Sequence, residues 1–123
     1  MNMLKGIKFR LGLFLVASVA CNGLLAQNDT TFVAEGNPIV KYKYTADPAA
    51  MVYDNKVYLY AGQDDCPPGS EYYQIDNWSV YSTPDLKTWT EHAVPLRAKD
   101  FSWAKGEAWA SQVIERNGKF YWY

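Results

Sequence analysis

The sequence has no excess of positive charge. Its 12 Lys and Arg residues are balanced by 13 Asp and Glu residues, and the formal net charge is −1. Proteins that bind nucleic acid usually present a basic surface to the phosphate backbone, and this composition supplies none. We therefore expect no nucleic acid partner.

Cysteine is scarce, with two residues in 123. Cys21 follows an N-terminal apolar segment, where it is either removed with that segment or modified by lipid. Cys66 is then left without a partner, and no disulfide framework can be inferred from a single cysteine.

A hydrophobic run long enough to cross a membrane is also missing. The longest, residues 11–20, has about ten residues, whereas a bilayer core needs about twenty. Lys5, Lys8 and Arg10 precede it, and small residues follow it. This order of charged, apolar and small residues predicts a secretory signal peptide over residues 1–26 and hence an exported protein.

The cleavage site has two candidates. Ser18-Val19-Ala20 before Cys21 resembles a bacterial lipoprotein box, which would give a lipid anchor through Cys21. Leu24-Leu25-Ala26 is an ordinary cleavage candidate and would free the chain. Periplasmic, outer-membrane lipoprotein and secreted forms all stay open.

Aromatic residues, by contrast, are abundant: ten Tyr, five Trp and five Phe. Their flat faces match the C–H faces of sugar rings, and Tyr O–H and Trp N–H supply polar contacts. Aromatic residues are also enriched in strands generally. The composition alone leaves both explanations open.

Short strands account for most of the chain after residue 36. The pattern predicts a hairpin of strands 49–53 and 56–62 with a turn at Asp54-Asn55, then strands 78–82 and 88–92. In the second strand Val57 and Leu59 point to one face and Tyr58 and Tyr60 to the other, so both faces should be covered. Residues 27–36 read as an N-terminal arm and 63–77 as a long loop.

The hairpin recurs later in the chain. Residues 110–115 and 119–123 repeat its pattern, and Lys56 corresponds to Lys119, a spacing of 63 residues with two extra residues in the second turn. A four-stranded unit that recurs at such a period is typical of a β-propeller blade. The chain also stops at Tyr123 within an apolar run. We therefore expect residues 37–123 to be the front piece of an all-β propeller, with one blade and the start of the next.

Asp47 precedes Pro48 at the start of the first hairpin. A residue before proline is biased towards extended conformations, so we expect Asp47 to be extended and to lie at the entrance of the strand. It is either a turn former or a carboxylate placed for catalysis.

Three motifs carry a family resemblance. They are Tyr44-Thr45-Ala46-Asp47-Pro48 before the hairpin, residues 79–89 with Ser82, Asp85-Leu86 and Trp89, and Ala108-Trp109-Ala110 before 117–123. Together they resemble glycoside hydrolase family 43, over about residues 36–123. The resemblance implies a five-bladed β-propeller acting as a β-xylosidase, α-L-arabinofuranosidase or endo-arabinanase on xylan- or arabinan-type pentosides.

The resemblance also implies roles for individual residues. Asp47 matches the general base of an inverting glycosidase, and Trp109 matches a tryptophan that lines the sugar pocket, although Ser111 stands where the family has proline. Asp64 falls at the pocket rim, with Gln63 where relatives often have histidine. Trp103 is a further candidate pocket wall.

The family's general acid belongs to a later blade. We therefore expect this polypeptide to be inactive by itself. Glu107 receives no role, and His92 is expected at the surface. No cofactor or metal site is predicted, and calcium in a complete propeller stays open. The alternatives are a non-catalytic carbohydrate-binding propeller and an unrelated β-sandwich module.

Overall fold

The computed structural model describes residues 28–93 and 96–123. Within these ranges the chain is built from seven strands and one short 3-10 turn, and it has no helix long and apolar enough to span a membrane. The strands are β1 (Thr30–Val33), β2 (Tyr44–Tyr53), β3 (Lys56–Asp64), β4 (Trp78–Thr83), β5 (Thr88–Glu91), β6 (Val113–Arg116) and β7 (Lys119–Trp122), and the 3-10 turn is Ala98–Asp100. The predicted signal peptide, including Cys21, lies outside the described residues.

Five strands form one antiparallel sheet in the order β1-β5-β4-β3-β2, and β6 and β7 form a separate hairpin. The four strands expected from the sequence are present. The predicted arm, 27–36, contributes an additional strand, because β1 pairs with β5 from Thr30↔Glu91 to Val33↔Thr88. The arm is held there by Phe32, whose ring meets that of Tyr81 edge to face with centroids 6.3 Å apart.

Both hairpins turn through two residues. Asp54 and Asn55 have φ of 48° and 57°, and Asn117 and Gly118 have φ of 54° and 72°. Two consecutive positive φ values define the type I′ turn, whose twist matches that of the strands. The prediction of two extra residues in the second turn was wrong, since the pairs Tyr53↔Lys56 and Arg116↔Lys119 close identical turns. The spacing of 63 residues therefore runs through the turn without an insertion.

The two faces of the blade are covered by different partners. On one face Leu59 packs with Tyr81, Trp89 and Val40, so the segment after β1 lies over the sheet. On the other face Tyr58 and Tyr60 pack with Val80, Val113 and Trp122 of the second hairpin. The predicted alternation of faces along β3 is confirmed.

The end of β5 fastens the N-terminal segment from both sides. The Glu91 carboxylate accepts hydrogen bonds from the Tyr42 hydroxyl, at 2.6 Å, and from the Lys43 ammonium. Burial and, secondly, this contact with Glu91 raise the pKa of Tyr42. On the opposite side His92, the residue after Glu91, contacts Asp29.

His92 links two residues rather than standing free at the surface. Its Nδ1 lies 2.8 Å from a carboxylate oxygen of Asp29 and its Nε2 lies 2.8 Å from Oγ of Ser82. The connectivity is that of a hydrolytic triad, but Ser82 is only 5% exposed on a central strand. A substrate cannot reach that hydroxyl, so the three residues act as an anchor for β1.

We expect Asp29→Asn to loosen β1. The Ala93 backbone N–H and then His92 hold the pKa of the Asp29 carboxyl below its ordinary value of 3.8. Because the folded pKa lies below the unfolded one, this stabilisation is present above the unfolded pKa and is lost as the pH falls through the folded value. The variant should show a lower thermal midpoint at neutral pH and faster amide exchange in β1, and the difference should disappear in acid.

The matched control is Glu35→Gln. Glu35 contacts Lys41 at 3.0 Å, but both side chains are more than half exposed, and such surface pairs stabilise little. An equal effect of the two substitutions would show that the anchor contributes nothing beyond an ordinary surface charge.

Candidate functional site

The long connections of the blade lie at one edge of the sheet, where edge means the side formed by the strand ends and not an outer strand. The tight turns 54–55, 84–87 and 117–118 close the strands at the other edge, whereas the 65–77 loop and the described parts of the connection from β5 to β6, residues 92–93 and 96–112, lie where β2 begins. The four residues predicted for the site, Asp47, Asp64, Trp103 and Trp109, all belong to the long-connection edge.

Asp47 lies within β2 and not at its entrance, and it is not extended. The pairs Ala46↔Gly62 and Ala49↔Tyr60 leave Asp47 and Pro48 opposite the single residue Ala61, which is a β-bulge. Asp47 has a φ of 50°, in the left-handed region that aspartate tolerates better than most residues. The ladder on both sides of the bulge overrides the bias from Pro48. The side chain is exposed at this bulge.

Gly62 brings the Asp47 and Trp109 segments together. A Cβ placed on this glycine would lie 3.7 Å from the carbonyl oxygen of Ala108 and 3.9 Å from that of Ala46. These are the residues directly before Trp109 and Asp47. The two predicted site residues therefore lie on either side of one close backbone contact.

The backbone around Trp109 is fixed while its ring is free. Ala108 is fully buried and donates its N–H to the carbonyl of Ile75 at 2.6 Å. The indole Nε1 of Trp78 donates to the carbonyl oxygen of Trp109 at 2.7 Å. The Trp109 side chain itself is 66% exposed, so it presents a flat apolar face on a rigid backbone.

An aromatic cavity of about 270 Å³ lies beside Trp109. Its wall includes Trp78, Phe101, Trp103, Trp109 and Trp122, together with Glu107. The ring centroids of Trp103 and Phe101 are 5.2 Å apart. The sequence had singled out only Trp103 and Trp109, and the contributions of Trp78 and Trp122 depend on contacts between distant segments.

Asp64 ends β3 opposite Tyr44. Its Oδ1 is buried and has no hydrogen-bond partner among the described residues. The side chain lines an open cleft of about 640 Å³ with Lys43, Tyr44 and Gln63. A buried carboxylate oxygen without a partner carries a desolvation cost that a polar partner would remove.

The Gln63 side chain, which lines this cleft, hydrogen-bonds to three neighbouring side chains. Its carbonyl oxygen accepts from Asn77 at 3.2 Å and from Lys43 at 3.4 Å, and its amide nitrogen lies 3.3 Å from both carboxylate oxygens of Asp65. The Asp65 carboxylate is thus hydrogen-bonded to Gln63, whereas the Asp64 carboxylate has no such bond among the described residues. Asp64 is therefore the better candidate to accept a hydrogen bond from a ligand. Within 28–93 and 96–123 no three His, Cys, Asp or Glu side chains are grouped to hold a metal ion.

A family model for "Glycosyl hydrolases family 43" matches residues 35–123. Among curated proteins, "Xylosidase/arabinosidase 43A" of Humicola insolens is 30% identical over 94 residues, which cover 70% of this chain and 29% of that protein. "Xylosidase/arabinosidase" of Bacteroides ovatus is 30% identical over 92 residues, covering 69% and 28%. The chain spans less than a third of the length of these relatives.

Solved structures give the same result. A β-xylosidase/α-arabinofuranosidase from a compost metagenome, in complex with xylotriose and calcium-free, superposes with a TM-score of 0.63 at 32% identity, over 76% of this chain and 30% of that chain. A Xanthomonas citri enzyme complexed with xylotriose gives 0.63 at 29% identity, over 72% and 26%. The predicted fold class is confirmed: an all-β, five-bladed propeller represented by its first blade and the start of the second.

We expect Gly62→Val to separate the two halves of the site, whereas Gly62→Ala should be tolerated. A single Cβ makes ordinary contacts, the nearest being 3.4 Å from Ile75. The branches of valine extend beyond that Cβ towards three atoms already within 4 Å of it, and we expect overpacking, which typically costs about 1–3 kcal/mol. Thermal denaturation and the tryptophan emission spectrum measure the two effects.

Identical spectra and midpoints for the Val and Ala variants would contradict a close approach at Gly62. A loss of stability without any spectral change would mean that the glycine supports the core but not the position of Trp109.

Proposed function

Since this chain belongs to glycosyl hydrolase family 43, we propose that it supplies the general-base side of an active site that hydrolyses xylan- or arabinan-type pentosides. The observation that carries the proposal is the contact at Gly62, where the backbone just before Asp47 and the backbone just before Trp109 both lie within 4 Å of a Cβ built on the glycine. The xylosidase and arabinosidase names of the relatives support the choice of pentosides.

The proposed reaction is hydrolysis with inversion. A carboxylate removes a proton from water, which attacks the anomeric carbon, while an acid on the other side of the sugar protonates the leaving oxygen. The two carboxyl groups are about 6.5–9.5 Å apart in such enzymes, which leaves room for the water. Asp47 suits the first role because its side chain projects from a bulge at an exposed position.

Sugar binding is assigned to the aromatic cavity and the neighbouring cleft. Trp109 and Trp103, 66% and 76% exposed, offer ring faces to the C–H faces of a pentose. Asp64 lines the neighbouring cleft, where its carboxylate is placed to accept a hydroxyl hydrogen. The xylotriose bound to two solved relatives is a ligand of the proposed kind.

The general acid is assigned to another blade of the propeller, as the family resemblance implies. A base without its paired acid lacks the two differently tuned carboxyl groups that the reaction needs. We therefore propose that the 123-residue chain binds xylo-oligosaccharides but does not hydrolyse them by itself. Hydrolysis of nitrophenyl xyloside or arabinofuranoside by the isolated chain would contradict this.

A non-catalytic sugar-binding propeller is the second candidate. The exposed tryptophans of a fixed cavity favour it, because they serve binding as well as they serve catalysis. Removal of the Asp47 charge distinguishes the two candidates. It should lower the turnover of a glycosidase, whereas it should leave sugar binding by either candidate largely unchanged.

In a propeller completed with the remaining blades of a family 43 relative, Asp47→Asn should lower kcat by about 10²–10⁴-fold, the usual contribution of a general base. Xylotriose affinity should change little, because asparagine also tolerates the positive φ of 50° at this position. Steady-state kinetics and calorimetry measure the two quantities.

The control variant is Asp54→Asn, the same chemical change in the tight turn at the far edge of the hairpin. Asparagine is favoured in a type I′ turn, so this variant should keep full turnover. Equal turnover of the Asp47 variant and the parent protein would remove Asp47 as the base and favour the non-catalytic candidate.

We also propose that the chain is exported, with a signal peptide over residues 1–26 and a lipid anchor on Cys21 as one outcome of processing. The support is the charged, apolar and small-residue order of the N-terminus. Palmitate labelling in bacteria should mark the parent chain and not Cys21→Ala. Absence of label from both, with a free mature chain, would favour cleavage after Ala26.

A further inference from the structure

A second cavity, of about 440 Å³, adjoins the aromatic cavity at the same edge of the blade. Ala98 and Ala104 line both cavities and form the wall between them. The remaining wall of this polar cavity includes Asp76, Asn77, Arg97 and Lys99. A glycan held against Trp103 and Trp109 would therefore have a polar compartment directly beside it.

The wall of the polar cavity carries two cations, Arg97 and Lys99, and one carboxylate, Asp76, which is a formal excess of one positive charge. Arg97 and Lys99 make no salt bridge within the described part of the chain, although Asp76 shares the cavity wall. Three other charged residues neighbour the lining residues in the sequence: Asp100 after Lys99, and Lys105 and Glu107 on either side of Gly106. The cations of this cavity are thus available to a ligand.

The backbone that carries these cations is held in place. Asn77 and Arg97 form an isolated β-bridge, and the N–H of Ala98 donates to the carbonyl of Asp76 at 3.0 Å. The carboxylate of Asp100 accepts the N–H of Arg97 at 2.8 Å and closes the 3-10 turn. Arg97 and Lys99 therefore start from fixed positions beside the aromatic cavity.

We propose that the polar cavity binds the carboxylate of an acidic sugar substituent while the neutral pentose backbone occupies the aromatic cavity. A guanidinium group presents a planar fork of donors that matches a carboxylate, and Lys99 adds a point charge. The substrate class is then a uronic-acid-substituted xylan rather than a neutral one. This inference rests on the proposed sugar-binding function.

The test measures the binding of two probes to the 123-residue chain. One probe is xylotriose, and the other is xylotriose carrying one glucuronic acid branch. At low salt the acidic probe should bind about 2–5-fold more tightly, within the range expected for an exposed ion pair. The preference should vanish at 1 M salt, where the Debye length is about 3 Å. Titration calorimetry measures both affinities.

Variants locate the effect. Arg97→Gln and Lys99→Gln should each reduce the preference, and the double variant should remove it. Lys105→Gln is the matched control, because Lys105 neighbours the cavity without lining it, and it should keep the preference. A preference that follows Lys105 instead would overturn the assignment to this cavity.

The outcomes separate the two proposals. Equal binding of the acidic and neutral probes to the parent chain would overturn the acidic-substituent site and leave the sugar-binding function standing. Failure of both probes to bind, with a folded chain by thermal denaturation, would overturn the proposed function and this inference with it.

Discussion

The close contact at Gly62 is the constraint on which the site depends. Gly62 is a buried strand residue, and a Cβ built on it would lie within 4 Å of Ile75, Ala46 and Ala108. Protein interiors are packed densely enough that one added branch would have to displace one of them. The position of Trp109 relative to Asp47 is therefore set by packing against a strand, although Trp109 itself belongs to a long connection.

The Asp47 bulge shows the sheet imposing a conformation that local sequence disfavours. A non-glycine residue in the left-handed region costs on the order of 1–3 kcal/mol and persists only where its surroundings determine it. Here the pairs Ala46↔Gly62 and Ala49↔Tyr60 fix the chain on both sides. Bulges of this kind re-aim a side chain, and this one directs a carboxylate away from the ladder.

Local chemistry made part of the structure predictable. Asp54-Asn55 specifies a two-residue turn, and the alternation along β3 assigns Leu59 and Tyr60 to opposite faces. The rest depends on contacts between distant segments. The pairing of β1 with β5 joins residues about sixty positions apart in a four-residue strand, and no local pattern encodes it. For the same reason the pre-proline bias misplaced Asp47, and the polar cavity could not be foreseen.

The two edges of the blade have separate tasks. At the turn edge the Asp85 carboxylate accepts the N–H groups of Lys87 and Thr88, at 2.9 and 2.7 Å, which lowers the pKa of Asp85 to about 2. At the other edge long connections present exposed tryptophans. The strand order adds a third separation, because β1 and β2 are the outer strands on opposite sides of the sheet, about 19 Å apart at four strand spacings. The N-terminal strand therefore pairs on the side of the sheet opposite to the strand that carries Asp47.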